Sequence, residues 1–356
     1  MAAGSRGETG SRVIPGVAEL VPPFLMKSIL LVLLFAAVTT TIVAQTAPAP
    51  GLTPVHIVKL ADQRLRDVFI LADAPTQTYY LYNSYRRGPA GRPAVVAYKS
   101  RDLENWEGPY VVFETPADFW AQRGIWAPEV HAYQGKYYLF TTFNTDDKFP
   151  EQWRNWLPRV KRGSQVLVAD SPLGPFQLFQ NRAHLPADMM TLDGTLWIED
   201  DVPYMVFCHE WVQIKDGTVE FIRLKDDLSD VVGDPTKLFD GSDAPWSVKS
   251  KLWGCHVTDG PYLYRSKTGR LFMIWSSGGA QGYTTGLAVS PSGRLAGPWE
   301  QRPEPLFGAD GGHGMIFRRF DGQLMLVLHQ PNDFPHERAR LFELEDTGDT
   351  LVLKNK

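Results

Sequence analysis

Val130-His-Ala-Tyr133, Gln134-Gly135, Tyr137-Tyr-Leu-Phe140, Val166-Leu-Val-Ala-Asp-Ser-Pro172 and Gly174-Pro-Phe176 succeed one another as strand, turn, strand, strand and turn. Each apolar run is rich in β-formers, too short for a helix, and bounded by turn residues. The second run has four counterparts: Tyr79-Tyr-Leu-Tyr82, Tyr204-Met-Val-Phe207, Phe272-Met-Ile-Trp275 and Met325-Leu-Val-Leu328. With Tyr80, Tyr138, Tyr204, Phe272 and Met325 aligned, the steps are 58, 66, 68 and 53 residues. The leading strand also recurs, as Val68-Phe-Ile-Leu71, Thr195-Leu-Trp-Ile198, Tyr262-Leu-Tyr264 and Met315-Ile-Phe317. Third strands follow at Val95-Val-Ala-Tyr-Lys-Ser100 and Gly286-Leu-Ala-Val-Ser-Pro291, and a fourth at Tyr110-Val-Val-Phe113. Four strands per unit, repeated radially, make a propeller blade. The chain therefore reads as an all-β, five-bladed β-propeller over residues 61–356. A β-sandwich has no reason to repeat one four-strand order at near-constant spacing.

Composition narrows the function. Apolar residues make up 44% of the 356, enough for a large core, and charged residues 21%, with a net charge of −4. That balance gives no cause to expect nucleic acid or an anionic membrane as partner. Aromatics are plentiful at 12%, including 11 Trp, which suits both core packing and stacking on sugar. Near the N-terminus, Met26-Lys27 opens an apolar run that ends in small residues, the pattern of a secretory signal peptide over 26–47. Residues 1–25 then read as an upstream extension and 48–60 as a linker, which predicts a secreted or periplasmic protein, off the membrane once the signal is removed. Cys208 and Cys255 do not amount to a disulfide framework in a chain of this size.

Polar residues open the leading strands at near-blade spacing: Asp67, Glu129, Asp193, Asp259 and His313, in steps of 62, 64, 66 and 54. Leading strands line a propeller's axis, so these side chains are expected around one mouth of the central channel. Glu210 joins them. It ends the second strand of the third unit, and a hairpin folded at Asp200-Asp201 would return it beside Asp193. Carboxyl groups gathered at one mouth suit glycoside hydrolysis, in which one carboxylate activates water and one carboxylic acid protonates the leaving oxygen. Asp193 beside Glu210 would hold the acid protonated by like-charge repulsion.

These residues carry a resemblance. From about residue 60 onward the chain resembles glycoside hydrolase family 43, in Leu65-Arg-Asp-Val-Phe-Ile-Leu71, Trp126-Ala-Pro-Glu-Val-His131, Leu192-Asp-Gly-Thr-Leu-Trp197, Met205-Val-Phe-Cys-His-Glu-Trp211, Thr258-Asp-Gly-Pro-Tyr-Leu-Tyr264 and Gly311-Gly-His-Gly314. The resemblance implies an inverting glycosidase acting on arabinose- or xylose-containing plant polysaccharide or oligosaccharide. Asp67 would be the general base, Glu210 the general acid, and Asp193 the residue that tunes and orients the acid. His313 would fall on an axial histidine that helps hold a calcium ion, although no cofactor is required. Trp126 would form part of the sugar-pocket wall. Trp211, Trp253, His209 and His256 are further candidates for substrate contact, while Glu129 and Asp259 read as supporting residues. Val68 and Gly194 stand where the family often has proline, which blurs the subgroup. A sugar-binding propeller without chemistry and a galactan-directed enzyme are the alternatives. The loops over 146–153 and 240–246 would decide between internal and terminal cleavage.

Overall fold

The computed structural model describes residues 56–354, so the proposed extension and signal segment lie outside the described residues. Five antiparallel sheets follow one another along the chain. Blade 1 has inner-to-outer strands Phe69–Asp73, Thr78–Tyr85, Ala94–Ser100 and Trp106–Glu114. Blade 2 runs Gly124–Tyr133, Lys136–Lys148, Val160–Ala169 and Gln177–Leu178. Blade 3 is Thr191–Glu199, Val202–His209, Thr218–Leu224 and Val231–Asp240. Blade 4 is Asp259–Arg265, Leu271–Gly279, Gly282–Ser290 and Glu300–Gln301. Blade 5 is Gly312–Arg318, Leu324–Gln330, Arg338–Asp346 and Leu351–Leu353. This is the five-bladed propeller that the repeat predicts. No helix among the described residues is long and apolar enough to cross a membrane.

The repeated apolar runs are continuous because the second strand of a blade is buried on both faces. In blade 4, Leu271, Met273 and Trp275 pack toward blade 3, while Phe272 and Ile274 pack toward blade 5. Blade 3 does the same, with Val206 and Cys208 facing blade 4 and Met205 and Phe207 facing blade 2. A strand alternates its side chains, so a strand packed on both sides needs apolar residues at every position. Each such side chain, fully buried, contributes about 1.5–3 kcal/mol.

One feature differs from the sequence reading. Residues 56–58, expected within a linker, form a fifth, outermost strand that pairs with Trp106–Gly108 of blade 1. Blades 5 and 1 share no sheet; they are joined by side-chain packing, as of Tyr79 on Phe317 and Phe320, and by the segment after this strand. Leu65 N–H donates to the Glu337 carbonyl at 3.1 Å, and the Arg64 guanidinium grips the buried Glu337 carboxylate through two bonds of 3.0 Å. Arg66 reaches Asn332 at 2.6 Å. Cys208 and Cys255 are both buried and unpaired.

Candidate active site

The leading strands carry a shared distortion that brings side chains to the axis. Their register breaks between Trp126 and Glu129, Leu192 and Thr195, Asp259 and Tyr262, and Gly312 and Met315. Inside each break one residue takes a left-handed backbone: Ala127 (φ 44°), Asp193 (56°), Gly260 (50°) and His313 (49°). Asp67, at φ 52°, is the fifth, just before its strand. Bulges re-aim side chains in this way, and each left-handed non-glycine residue costs about 1–2 kcal/mol. Three of the turns are held by the second strand of the preceding blade. Asp193 N–H donates to Thr142 Oγ1 at 2.9 Å, His313 N–H to Ser276 Oγ at 2.9 Å, and Asp67 N–H to His329 Nδ1 at 3.2 Å. Gly260 N–H instead donates to the Asp193 carboxyl at 3.0 Å.

The recurring station is therefore a backbone feature. In blades 2 and 4 it falls on Ala127 and Gly260, not on Glu129 and Asp259 as the polar residues suggest. Glu129 is buried against His131 at 3.0 Å and does not line the axial cavity. Gly260 is required at its station, because a Cβ there would lie 2.8 Å from the His313 ring. Gly194, where proline is common in the family, donates its N–H to Ser164 Oγ at 3.2 Å, a bond proline lacks.

Asp67, Asp193, Glu210, Asp259 and His313 together line one axial cavity of about 560 Å³. His313 Nδ1 stands 3.4 Å from Asp67 Oδ1 and 3.7 Å from Asp193 Oδ2, so one imidazole bridges the two carboxyl groups. The hairpin turns at Asp200-Asp201, both at positive φ, and pairs Leu192 with Cys208; Glu210 follows immediately and caps a short helix, Trp211–Ile214. Arg162, from blade 2, donates to the Glu210 carboxyl, and its guanidinium lies 4.1 Å over the Trp126 ring. No local signal marked Arg162, which reaches the site from a third strand.

The carboxyl groups are driven in opposite directions. Burial tends to raise Asp67, but His313, Arg66, His329 and Arg64 outweigh it and hold the carboxyl below the usual range. His329, fully buried and pushed down to about 4 chiefly by burial, is neutral near neutral pH. Its Nδ1 therefore accepts from Asp67 N–H while Nε2–H faces Asn332 Oδ1 at 3.2 Å. Asp193 is raised well above the carboxylate range by burial and then by Asp67. Glu210 is raised by burial, against the pull of Arg162 and His209. The like-charge push expected from Asp193 is not what lifts Glu210; burial is. Asp259 is pushed up to about 7 by burial and Asp193, with Tyr283 O–H donating to it at 2.9 Å.

The other candidates divide. Trp126, 40% exposed, and Trp211 line the cavity. His209 does not; it bonds Gln213 at 2.8 Å and faces Glu220 at 3.4 Å. His256 is tied to Ser247 at 3.0 Å behind the wall, and Trp253 packs edge-on against Trp156 at 5.8 Å. Among the described residues no group of three or more His, Cys, Asp or Glu side chains is arranged to hold a metal. Calcium takes six to eight oxygen ligands, whereas His313 offers a ring nitrogen and its Nδ1 already faces Asp67 and Asp193, so any calcium ion here would have to draw most of its oxygens from water. A second cavity, of about 750 Å³, continues from the first and shares Arg66, Trp211 and Asp259 with it.

Carboxyl groups with pKa values shifted in opposite directions, facing an open axial cavity beside an exposed tryptophan, are the equipment of a glycoside hydrolase. The chain belongs to glycosyl hydrolases family 43, whose family model matches residues 60–350. An endo-arabinase from Bacteroides thetaiotaomicron has a similar structure, with a TM-score of 0.71 at 40% identity over 81% of this chain and 96% of that one. A probable arabinan endo-1,5-alpha-L-arabinosidase C from Aspergillus niger is 26% identical over 167 residues, which are 46% of this chain and 44% of that protein. This chain thus matches less than half of that relative's length. An endo-1,4-beta-xylanase from Bacteroides thetaiotaomicron shares the fold, with a TM-score of 0.67 at 20% identity over 85% of this chain and 97% of that one.

Proposed function

We propose that the protein is a secreted, inverting glycosidase that cuts inside arabinan chains, or inside related arabinose- or xylose-containing plant polysaccharides. The observation that carries this reading is the placement of Asp67 and Glu210 on one cavity, with flanking cations pulling the Asp67 pKa down and burial pushing that of Glu210 up. An ionised carboxylate can draw a proton from water while a neutral carboxyl gives one to the departing oxygen. Asp67 is the base and Glu210 the acid. Asp193 works through His313 to orient the base, and Trp126 and Trp211 receive the sugar rings. Cleavage within the chain is supported by a second cavity adjoining the first at Arg66, Trp211 and Asp259, and by the endo-acting names of the relatives. Secretion rests on the residue pattern over 26–47 alone.

A second reading of the acid is favoured by one observation. The Asp259 carboxyl lies in the same cavity with its pKa near 7, held by Tyr283. Glu210→Gln and Asp259→Asn decide between them on linear arabinan and on a dinitrophenyl arabinofuranoside, whose leaving group needs no proton. The variant lacking the acid should lose about 10²–10⁴-fold on arabinan and far less on the activated substrate. Should Asp259→Asn show that signature and Glu210→Gln not, the acid is Asp259. Proton NMR of the first-formed anomer tests inversion, and a product of retained configuration excludes it.

A further inference from the structure

The second cavity has a charge character that hydrolysis of a neutral glycan does not call for. Its walls hold three cations, Arg66, Lys249 and Lys251, and a single carboxyl, Asp259. That carboxyl receives the Tyr283 hydroxyl at 2.9 Å and adds little negative charge to the cavity at mildly acidic pH. Lys249 and Lys251 are exposed on the loop after Trp246, and neither has a hydrogen bond or ion pair to an acidic partner. Arg66 is already engaged, its Nη1 donating to Asn332 at 2.6 Å and lying 3.6 Å from Glu337 and its Nε lying 3.6 Å from Asp67, so the uncommitted charge on this wall is that of the two lysines. The chain as a whole carries −4, so two lysines without acidic partners on one cavity wall, beside the paired Arg66, run against its overall charge. Neutral sugars are recognised by stacking and by neutral hydrogen bonds. Ammonium and guanidinium groups converging on one open cavity match a carboxylate.

Resting on the reading of this site as an arabinan-type glycosidase, we propose that the cavity between Arg66 and Lys249–Lys251 receives a sugar unit bearing a carboxylate. The natural substrate is then an acidic polysaccharide with a uronic acid near the bond that is cut. Trp211, shared by both cavities, offers an aromatic surface between the uronate and the ring at the cleavage point.

The test uses the full chain and an arabino-oligosaccharide attached to galacturonate, together with the same oligosaccharide after its carboxyl is reduced to the alcohol. Binding is measured by titration calorimetry at low and high salt, and hydrolysis by kcat/KM. The acid form should bind and react about 5–10-fold better at low salt, as expected for two or three partly exposed ion pairs. The advantage should shrink in salt and fall toward unity in the Lys249→Ser/Lys251→Ser double variant. Equal handling of the two ligands by the parent protein overturns the proposal. An advantage that survives the double variant overturns its placement in this cavity. Hydrolysis of neutral linear arabinan is followed alongside: its absence would count against the proposed activity, while the binding ratio still reports on the cavity.

Discussion

Replacing Gly260 by alanine probes the hub of the site with a single methyl group. The new Cβ would lie 2.8 Å from Cγ and Cδ2 of His313 and 3.1 Å from Nδ1. Neither partner gives way easily, since His313 is buried and its own backbone is left-handed. Two costs add. An L-residue at φ 50° costs about 1–2 kcal/mol, and overpacking a buried ring about 1–3 kcal/mol. The loss should therefore be about 2–5 kcal/mol, or roughly 4–10 °C in Tm for a domain this large. Gly135→Ala is the control, because Gly135 has φ 77° in a turn with nothing within 4 Å of the added carbon; it carries the backbone cost alone. Displacing the ring also moves the bridge between Asp67 and Asp193, so kcat on arabinan should fall by about 10²-fold, the scale of an ångström misplacement. Scanning calorimetry and kcat for both variants measure the two effects. If Gly260→Ala melts with Gly135→Ala and retains its kcat, His313 is not the rigid bridge described above.

Removing the Arg162 clamp with Arg162→Met should raise the Glu210 pKa further, since Arg162 opposes burial there. If Glu210 is the acid, the alkaline limb of the kcat/KM profile, where activity is lost as the acid deprotonates, moves to higher pH, and Trp126 loses its stacked guanidinium. Asp67 must be ionised, and its depressed pKa places the acidic limb below the ordinary carboxylate range, with activity lost as pH falls through it. Glu337→Gln removes a buried carboxylate shared by Arg64 and Arg66 and should cost about 2 kcal/mol in urea denaturation. With Cys208 and Cys255 unpaired, a reductant should leave Tm unchanged.

The blades were legible because the physics that builds them is local and repetitive. Tyr79-Tyr-Leu-Tyr82 and its counterparts are the strands buried on both faces, and the Asp200-Asp201 turn reads directly from its residues. The site was legible only where a polar residue happens to occupy the left-handed station. Asp67, Asp193 and His313 do; Ala127 and Gly260 present nothing polar, so the polar pattern falls on the neighbouring Glu129 and Asp259 instead. Asp259 proved to line the cavity although it read as a supporting residue. His209 and His256 adjoin residues of the site in sequence yet face away from the cavity, because strand alternation and the turn after Ser247 direct them elsewhere. Arg162 and Lys249 depend on which blades and loops become neighbours, which no local pattern encodes.

The segment that fastens blade 5 to blade 1 also carries Asp67. Four consecutive residues, Arg64 to Asp67, thus hold both the clasp of the circle and the group proposed to activate water. A molecule whose first and last blades drift apart is chemically silent even while each sheet stays intact. Loss of turnover on heating should then precede loss of β-structure, making enzymatic activity the earlier gauge of an opened circle.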